Sequence, residues 1–509
     1  FLGDGEESLV EAVRAMRSIG GRRAGRRAMA ESLAAVEGVY VEGSTERARY
    51  RVHRFEEGEL PRAPIVPSSS IVHDRLAVEI MRGCTRGCRF CHAGVINRPK
   101  RERSVAEIVQ AVCSGLDASG WEEVSLLSLS SSDYSRLDEL LEALVPELRR
   151  RTVSLAMPSL RPGTVTERLV EASSVMRRSG FTLAPEAGTE RLRRVINKGL
   201  SEEEILEGCG KIVRGGWQGI KLYFMIGLPT ETDEDLGGIV RLVERILQLP
   251  GGWFKLSISI SPFVPKPHTP FQWESQSSMK EIGRKQDYLG RRLRGRRIQL
   301  AMRDPRISAL EGLLARGDRR LRPVIERAYR LGCRFDGWRD MFRFDLWKEA
   351  FAGEGIDIAA PPEGFPMDAE LPWARFEPPV STRYLLRERE RAFAEDETAD
   401  CSEGPCAGCG ACGGKEAPAS FERRRDVADE TGSSGARTAS TAGPDRESAA
   451  ERPSGAEAAS EDSETPEAPV RYRFIYRKEG RERFLSHLET LGVIQSCLLY
   501  TSPSPRDRT

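Results

Sequence analysis

Cys84, Cys88 and Cys91 stand in the order Cys-x3-Cys-x2-Cys inside MRGCTRGCRFCHAG, residues 81–94. Three thiolates on one short loop suit a soft metal, held as zinc or within an iron–sulfur cluster. A structural zinc asks for a fourth protein ligand. His92 adjoins Cys91, and side chains one position apart rarely reach the same ion. Cys113, the nearest other cysteine, falls in the apolar register of an expected helix and is assigned to the core. The arrangement that needs no fourth side chain is a 4Fe–4S cluster with three irons on cysteine and one iron open. Gly83, Gly87 and Gly94 let the loop wrap closely around such a group.

A second set, Cys401, Cys406, Cys409 and Cys412, has the spacing Cys-x4-Cys-x2-Cys-x2-Cys within CSEGPCAGCGACGG. Four thiolates suffice for tetrahedral zinc or for an auxiliary iron–sulfur cluster, and spacing leaves the two open. Seven of the eleven cysteines thus fall in tight clusters. In a long chain without a visible signal peptide this favours metal over disulfides and implies a reducing, cytoplasmic compartment. No apolar run approaches the ~20 residues of a bilayer crossing, so no membrane association is expected. Lysine plus arginine (78) nearly cancels aspartate plus glutamate (77), so bulk charge does not mark a nucleic-acid binder. Basic runs at 21–27 and 291–297 read as solvated helix faces, although an RNA substrate would suit them.

The elements that must position these cysteines are legible from Leu76 onward. Six β-rich runs, LAVEIMRGC, EEVSLLSLSSSDY, RTVSLAMPSL, GFTLAPEAG, GIKLYFMIGLP and FKLSISISPFVP, are each followed by polar, helix-periodic sequence. Ser104 with Glu107, Thr164 with Glu167, and Ser201 with Glu204 read as capping boxes at helix starts. Such alternation predicts an α/β chain built on a partial (β/α)6 TIM-like barrel with parallel strands. Chemistry in such folds sits at the C-terminal strand ends, and the three cysteines directly follow the first strand.

The expected organisation is as follows. Residues 1–70 form the tail of an N-terminal domain and a connector, 71–275 the barrel, 276–400 a helical extension, and 401–414 the cysteine-rich metal motif. Residues 415–469 lack large apolar side chains and read as a disordered linker. Residues 470–496 open an α+β domain that stays incomplete, and 497–509 read as a non-native, adapter-derived tail. With Phe1 in place of an initiator methionine, the chain reads as a fragment truncated at both ends.

The three-cysteine spacing, with Phe90 just before the last cysteine, resembles the radical S-adenosylmethionine (SAM) superfamily. TLAPEAGTERLRRVINKGLSEEEIL, LYFMIGLPTETDEDL and SPFVPKPHTPFQW resemble its B12-binding-type branch, and RYRFIYRKEGRERFLSHLETLG resembles a radical-SAM-linked domain of unknown function. The resemblance implies that the open iron chelates the amino and carboxylate groups of SAM. An electron, from a donor such as flavodoxin or ferredoxin, then cleaves the sulfonium to a 5′-deoxyadenosyl radical, which abstracts hydrogen from the substrate. It also implies SAM contacts from Glu186 at the fourth strand end, from Phe90 near adenine, and from the loop of Gly227, Leu228 and Pro229. A helix N-terminal carboxylate is the structural alternative for Glu186. Many members carry Gly-Gly-Glu after the second strand, whereas SLSSSDY stands here, and Ser130, Ser132 or Asp133 would replace those acceptors. His268 in KPHTP is the remaining polar candidate at the sixth strand.

The branch's cobalt-ligating histidine lies in Asp-x-His-x-x-Gly, and none of the five histidines here does. A cobalamin ligand would therefore come from upstream of Phe1, in the cobalamin-binding-like domain that GDGEE would end. The expected function is a radical SAM enzyme acting on an unknown substrate, with RNA or ribosomal protein suggested by the arginine-rich helices and the terminal domain. The competing reading is a non-catalytic metal-binding adaptor that keeps the fold. An adaptor has no need of an open iron, which argues for the enzyme.

Overall fold

Alternation of apolar with small or polar residues sets the strands. In Lys255–Pro262 the side chains of Leu256, Ile258 and Ile260 are buried, while Ser257, Ser259 and Ser261 between them are only half-buried. Gly219–Ile226 repeats the pattern with Ile220, Leu222, Phe224 and Ile226. A period of two sends those apolar residues to one face of the sheet. There they meet Ile205, Cys209, Ile239 and Val243 of the crossover helices in one core. Each fully buried Leu, Ile or Phe contributes about 1.5–3 kcal/mol. The serine face is left for the side away from those helices.

The computed structural model of the chain describes residues 1–412, apart from 24, 44–46, 57, 68–70, 158–159, 173–180 and 361. The expected linker, the C-terminal domain start, the adapter-like tail and Cys497 lie outside the described residues. Numbered in chain order, the strands of the barrel are β1 Leu76–Glu79, β2 Glu123–Leu127, β3 Ser154–Ala156, β4 Phe181–Glu186, β5 Gly219–Ile226, β6 Lys255–Pro262 and β7 Ile298–Met302. All pairings among them are parallel, in the orders β1–β2–β3 and β4–β5–β6–β7. A parallel bridge between Leu160 and Leu183 links the two sets.

The expected six strands correspond to β1 through β6. The seventh, β7, pairs with β6 along its length and falls where only helices were expected. It is an edge strand with alternately exposed residues, so its apolar signal is weak. The cap readings fare unevenly. Ser201 and Glu204 form a reciprocal capping box, and the Glu107 N–H donates to Ser104 Oγ at 3.2 Å. The cap of the helix Glu167–Ala172 is instead Thr166, whose Oγ1 accepts from the Leu169 N–H, while Thr164 donates to the Arg161 carbonyl.

Peripheral pieces flank the barrel, and the last of them reaches the cysteine loop. Near the N-terminus, Ala48–Arg49 pairs in parallel with Phe376–Glu377. After β7, the helices Pro305–Arg316, Leu321–Leu331 and Phe344–Ala352 share a core of Leu310, Val324, Trp347 and Phe351. The helix Thr382–Phe393 then returns to the cysteine loop. Among the described residues, no helix is long and apolar enough to cross a membrane.

Candidate functional site

The three-cysteine loop leaves the C-terminal end of β1 and is closed at its base by the antiparallel pair Met81–Arg82 with Arg101–Glu102. Gly83 makes the closure possible. Its φ is +86°, and a Cβ there would lie 2.5 Å from the Asn97 carbonyl oxygen and 2.6 Å from that of Pro99. Inside the loop Arg89 is fully buried. Its Nη1 donates to the carbonyls of Arg194 and Val195, both at 3.0 Å, and its Nη2 to the Asp396 carbonyl at 2.7 Å. Nε and Nη2 also donate to Glu388 Oε2, at 3.2 and 3.1 Å. Asn197 adds a second clamp, since its Nδ2 donates to the carbonyls of Arg86, Gly87 and Thr398.

These anchors gather the sulfurs. Burial, with the field of Cys88 next, pushes the Cys84 thiol up to about 12 and the Cys91 thiol up to about 11. Crowded, desolvated thiols of this kind are costly as thiolates until a positive centre compensates them, which a bound metal does. Among the described residues no three His, Cys, Asp or Glu close on one point as ligands of a single ion do. Three thiols on one loop, with Cys88 in the field of both Cys84 and Cys91, offer the ligand set of a three-cysteine cluster. The donor set therefore fits a three-cysteine iron–sulfur cluster, which Cys84, Cys88 and Cys91 would hold.

Beside the sulfurs stands an ion pair. Lys198 Nζ lies 3.3 Å from Glu186 Oε1, and both side chains are mostly buried. Burial opposes the Lys198 charge, but Glu186 and the neighbouring Cys88 sulfur outweigh it and hold the ammonium above its usual range. Glu186 ends β4 at a register shift with φ of +68°, a left-handed conformation that an ordinary residue keeps only under constraint. The following helix, Glu190–Val195, is capped by Thr189, so Glu186 is not its capping carboxylate.

The other predicted contacts divide. Asp133 pairs with Arg86 of the cysteine loop at 2.6 Å and lies in the field of Cys84. Ser132 Oγ accepts the Arg161 N–H, and Ser130 precedes the short 3-10 turn without capping it. Phe90 packs with Leu228, Ala187 and Phe263, bringing two of the adenine-side candidates together. Gly227 has φ of +80°, its N–H donates to Glu231 Oε1, and an added Cβ would meet Ile282 and Ser277 at 2.9 Å. His268 is buried, stacks on His92 at 6.2 Å and is held by burial, then by His92, down at about 4. Cys113 is half-buried rather than core and lies in the field of Arg151 and Glu147 of the neighbouring helix.

Four contributors escaped the sequence reading: Arg89, Lys198, Asn197 and Glu388. A lysine in a chain that otherwise prefers arginine was the available signal for Lys198. Glu388 gives none, since charges on a helix ordinarily face solvent. In the second cysteine set, Cys409 is buried, Cys401 half-buried, and Cys406 and Cys412 exposed.

Residues 78–243 match the Radical SAM superfamily. Over 251 residues the chain is 33% identical to the uncharacterized protein MJ0966 of Methanocaldococcus jannaschii, covering 49% of this chain and 53% of that protein. It is 27% identical over 234 residues to the threonylcarbamoyladenosine tRNA methylthiotransferase MtaB of Treponema pallidum, with 43% and 45% covered. It is also 27% identical over 178 residues to the ribosomal protein uS12 methylthiotransferase RimO of a Thermotoga species, with 33% and 41% covered. The chain thus spans about half the length of the curated relatives it matches. Among solved structures, the radical SAM methyltransferase TsrM of Kitasatospora setae aligns with a TM-score of 0.30 and 16% identity over 36% of each chain. The Cys-x3-Cys-x2-Cys loop at the tip of β1 lies inside the segment, residues 78–243, that matches the Radical SAM superfamily.

Proposed function

We propose that the chain is a radical SAM enzyme whose site for the methionine end of SAM is the Glu186–Lys198 pair beside the three cysteines. When bound, a 4Fe–4S cluster supplies the electron that cleaves SAM to methionine and a 5′-deoxyadenosyl radical. The observation that carries the reading is this pairing of opposite charges next to Cys88 and Cys91. SAM presents an ammonium and a carboxylate on adjacent atoms. Glu186 and Lys198 offer the complementary charges from a mostly buried position, where such bonds are strong. Phe90 and Leu228 supply apolar surface that keeps water from the adenine side.

The relatives support a substrate class. Two of those named above act on tRNA or on a ribosomal protein, and we infer a substrate of the same class, with flavodoxin or ferredoxin as electron donor. His53, held between Glu7 and Glu59, and His268, held among aromatic rings, are engaged within the fold rather than free to ligate cobalamin. Anaerobic reconstitution with iron and sulfide, then SAM and dithionite, should release 5′-deoxyadenosine. Cys88→Ala should abolish both cluster absorbance and cleavage. A well-formed cluster that yields no 5′-deoxyadenosine would refute the reading.

A further inference from the structure

The second cysteine set lies against the back of the first loop. Cys409 is buried in a cluster with Val95, Tyr384 and Leu385, and Val95 belongs to the short helix His92–Ile96 that begins right after Cys91. Its carbonyl accepts the Ser381 N–H at 2.9 Å. Arg98 bridges the two sets. Its Nε donates to the Gly94 carbonyl at 3.3 Å and its Nη2 to the Thr85 carbonyl at 3.2 Å. Its charge lies in the field of Cys409 and Cys401, and its guanidinium lies over the Tyr384 ring, 5.7 Å from the centroid. Thr85 Oγ1 donates to Asp400 Oδ2 at 3.0 Å, and Arg86 pairs with the same carboxylate at 3.1 Å.

The segment is also shaped for ligation. Gly408 and Gly410, one in each spacer that flanks Cys409, have φ of +65° and +92°. The Gly408 N–H donates to Cys406 Sγ at 3.4 Å, as the Gly94 N–H donates to Cys91 Sγ at 3.3 Å in the first loop. The sulfurs of Cys401, Cys406, Cys409 and Cys412 stand in one another's electrostatic field.

We propose that Cys401, Cys406, Cys409 and Cys412 hold a four-thiolate metal centre that braces the Cys84–Cys91 loop through Arg98, Thr85 and Arg86. Cys409 is the fixed ligand, and the exposed Cys406 and Cys412 close inward on the metal. Four thiolates leave the centre negative with either zinc or an iron–sulfur cluster, and Arg98 balances that charge while holding two carbonyls of the first loop. Arg98 is thus a positioning residue. The ligand set does not depend on SAM chemistry, whereas the brace acts on the proposed SAM site.

The test uses the full chain with Cys84, Cys88 and Cys91 all changed to alanine, checked for folding by circular dichroism. After exposure to zinc, or to iron with sulfide, it should retain one centre per chain. Sulfide content and visible absorbance tell cluster from zinc. Adding Cys406→Ser and Cys412→Ser should remove that metal. In the chain with its first loop intact, Cys406→Ser with Cys412→Ser, or Arg98→Gln, should speed amide exchange across 83–98 by about tenfold or more, with Arg98→Lys falling between. No retained metal in the folded triple-alanine chain overturns the centre. Unchanged exchange across 83–98 overturns the brace. Release of 5′-deoxyadenosine by the parent chain scores the SAM reading separately.

Discussion

Replacing Glu388 by alanine removes the only carboxylate that meets Arg89 among the described residues, and the surroundings allow the cost to be worked out. A guanidinium has five N–H groups. In Arg89 two point at Glu388 and three at the carbonyls of Arg194, Val195 and Asp396. Burial, its largest influence, already holds the Arg89 pKa below the usual range despite Glu388. Removing the partner leaves a fully buried cation with two N–H groups unmatched, at about 3–5 kcal/mol. That is a large part of an ordinary domain stability of about 5–15 kcal/mol. Because Arg89 lies between Cys88 and Phe90, the loss falls on the cysteine loop. Urea unfolding followed by tryptophan fluorescence should show a markedly lower midpoint for Glu388→Ala. Iron retained after anaerobic desalting should fall with it. Glu388→Gln keeps an acceptor without the charge and should lie between. An alanine variant within about 0.5 kcal/mol of the parent that holds its iron would refute the argument.

Three further outcomes follow from the same packing. Gly83→Ala should cost about 1–3 kcal/mol and the bound iron, since its Cβ would strike two carbonyl oxygens, whereas Gly283→Ala, a helical position with open space, should be neutral or slightly stabilising in the same urea assay. Lys198→Met should leave iron content unchanged and weaken SAM binding by about 10–100-fold in equilibrium titration, with Lys198→Arg less affected. His53 lies between Glu7 and Glu59 at 2.7 and 2.8 Å; burial opposes its charge, but the two carboxylates outweigh it and raise its pKa. Its contribution is therefore full below the unfolded value and lost as pH rises through the folded one. The stability gap between parent and His53→Gln should narrow from about pH 6 to pH 9 in urea titrations.

How much of this was legible depends on the range of the interactions. The cysteine loop and strands β1 to β6 are written locally, in spacing and in alternation such as Leu256–Ile258–Ile260. β7 was missed because an edge strand buries little and RRIQLAMRD wraps a short apolar pattern in charge. A carboxylate three residues after Thr164 imitates a capping box, whereas the helix begins at Glu167 and takes its cap from Thr166. The site was legible only in its cysteines. Its supports, Arg89 with Glu388 and Asn197 with Thr398, join residues with no common periodicity, so only the tertiary fold shows that a charged helix position is buried.

The Arg89–Glu388 pair also sets an order of events during synthesis. Its two residues are separated by 299 positions. A ribosome adding about 5–20 residues per second leaves the cysteine loop without its C-terminal anchor for about 15–60 s. During that interval the three thiols follow a finished strand but lack the helix Thr382–Phe393 that immobilises the residue between Cys88 and Phe90. A metal captured before translation has passed Glu388 would meet a loop that still lacks this anchor. A nascent chain halted before that point would hold its thiols loosely and exchange metal freely with the surroundings.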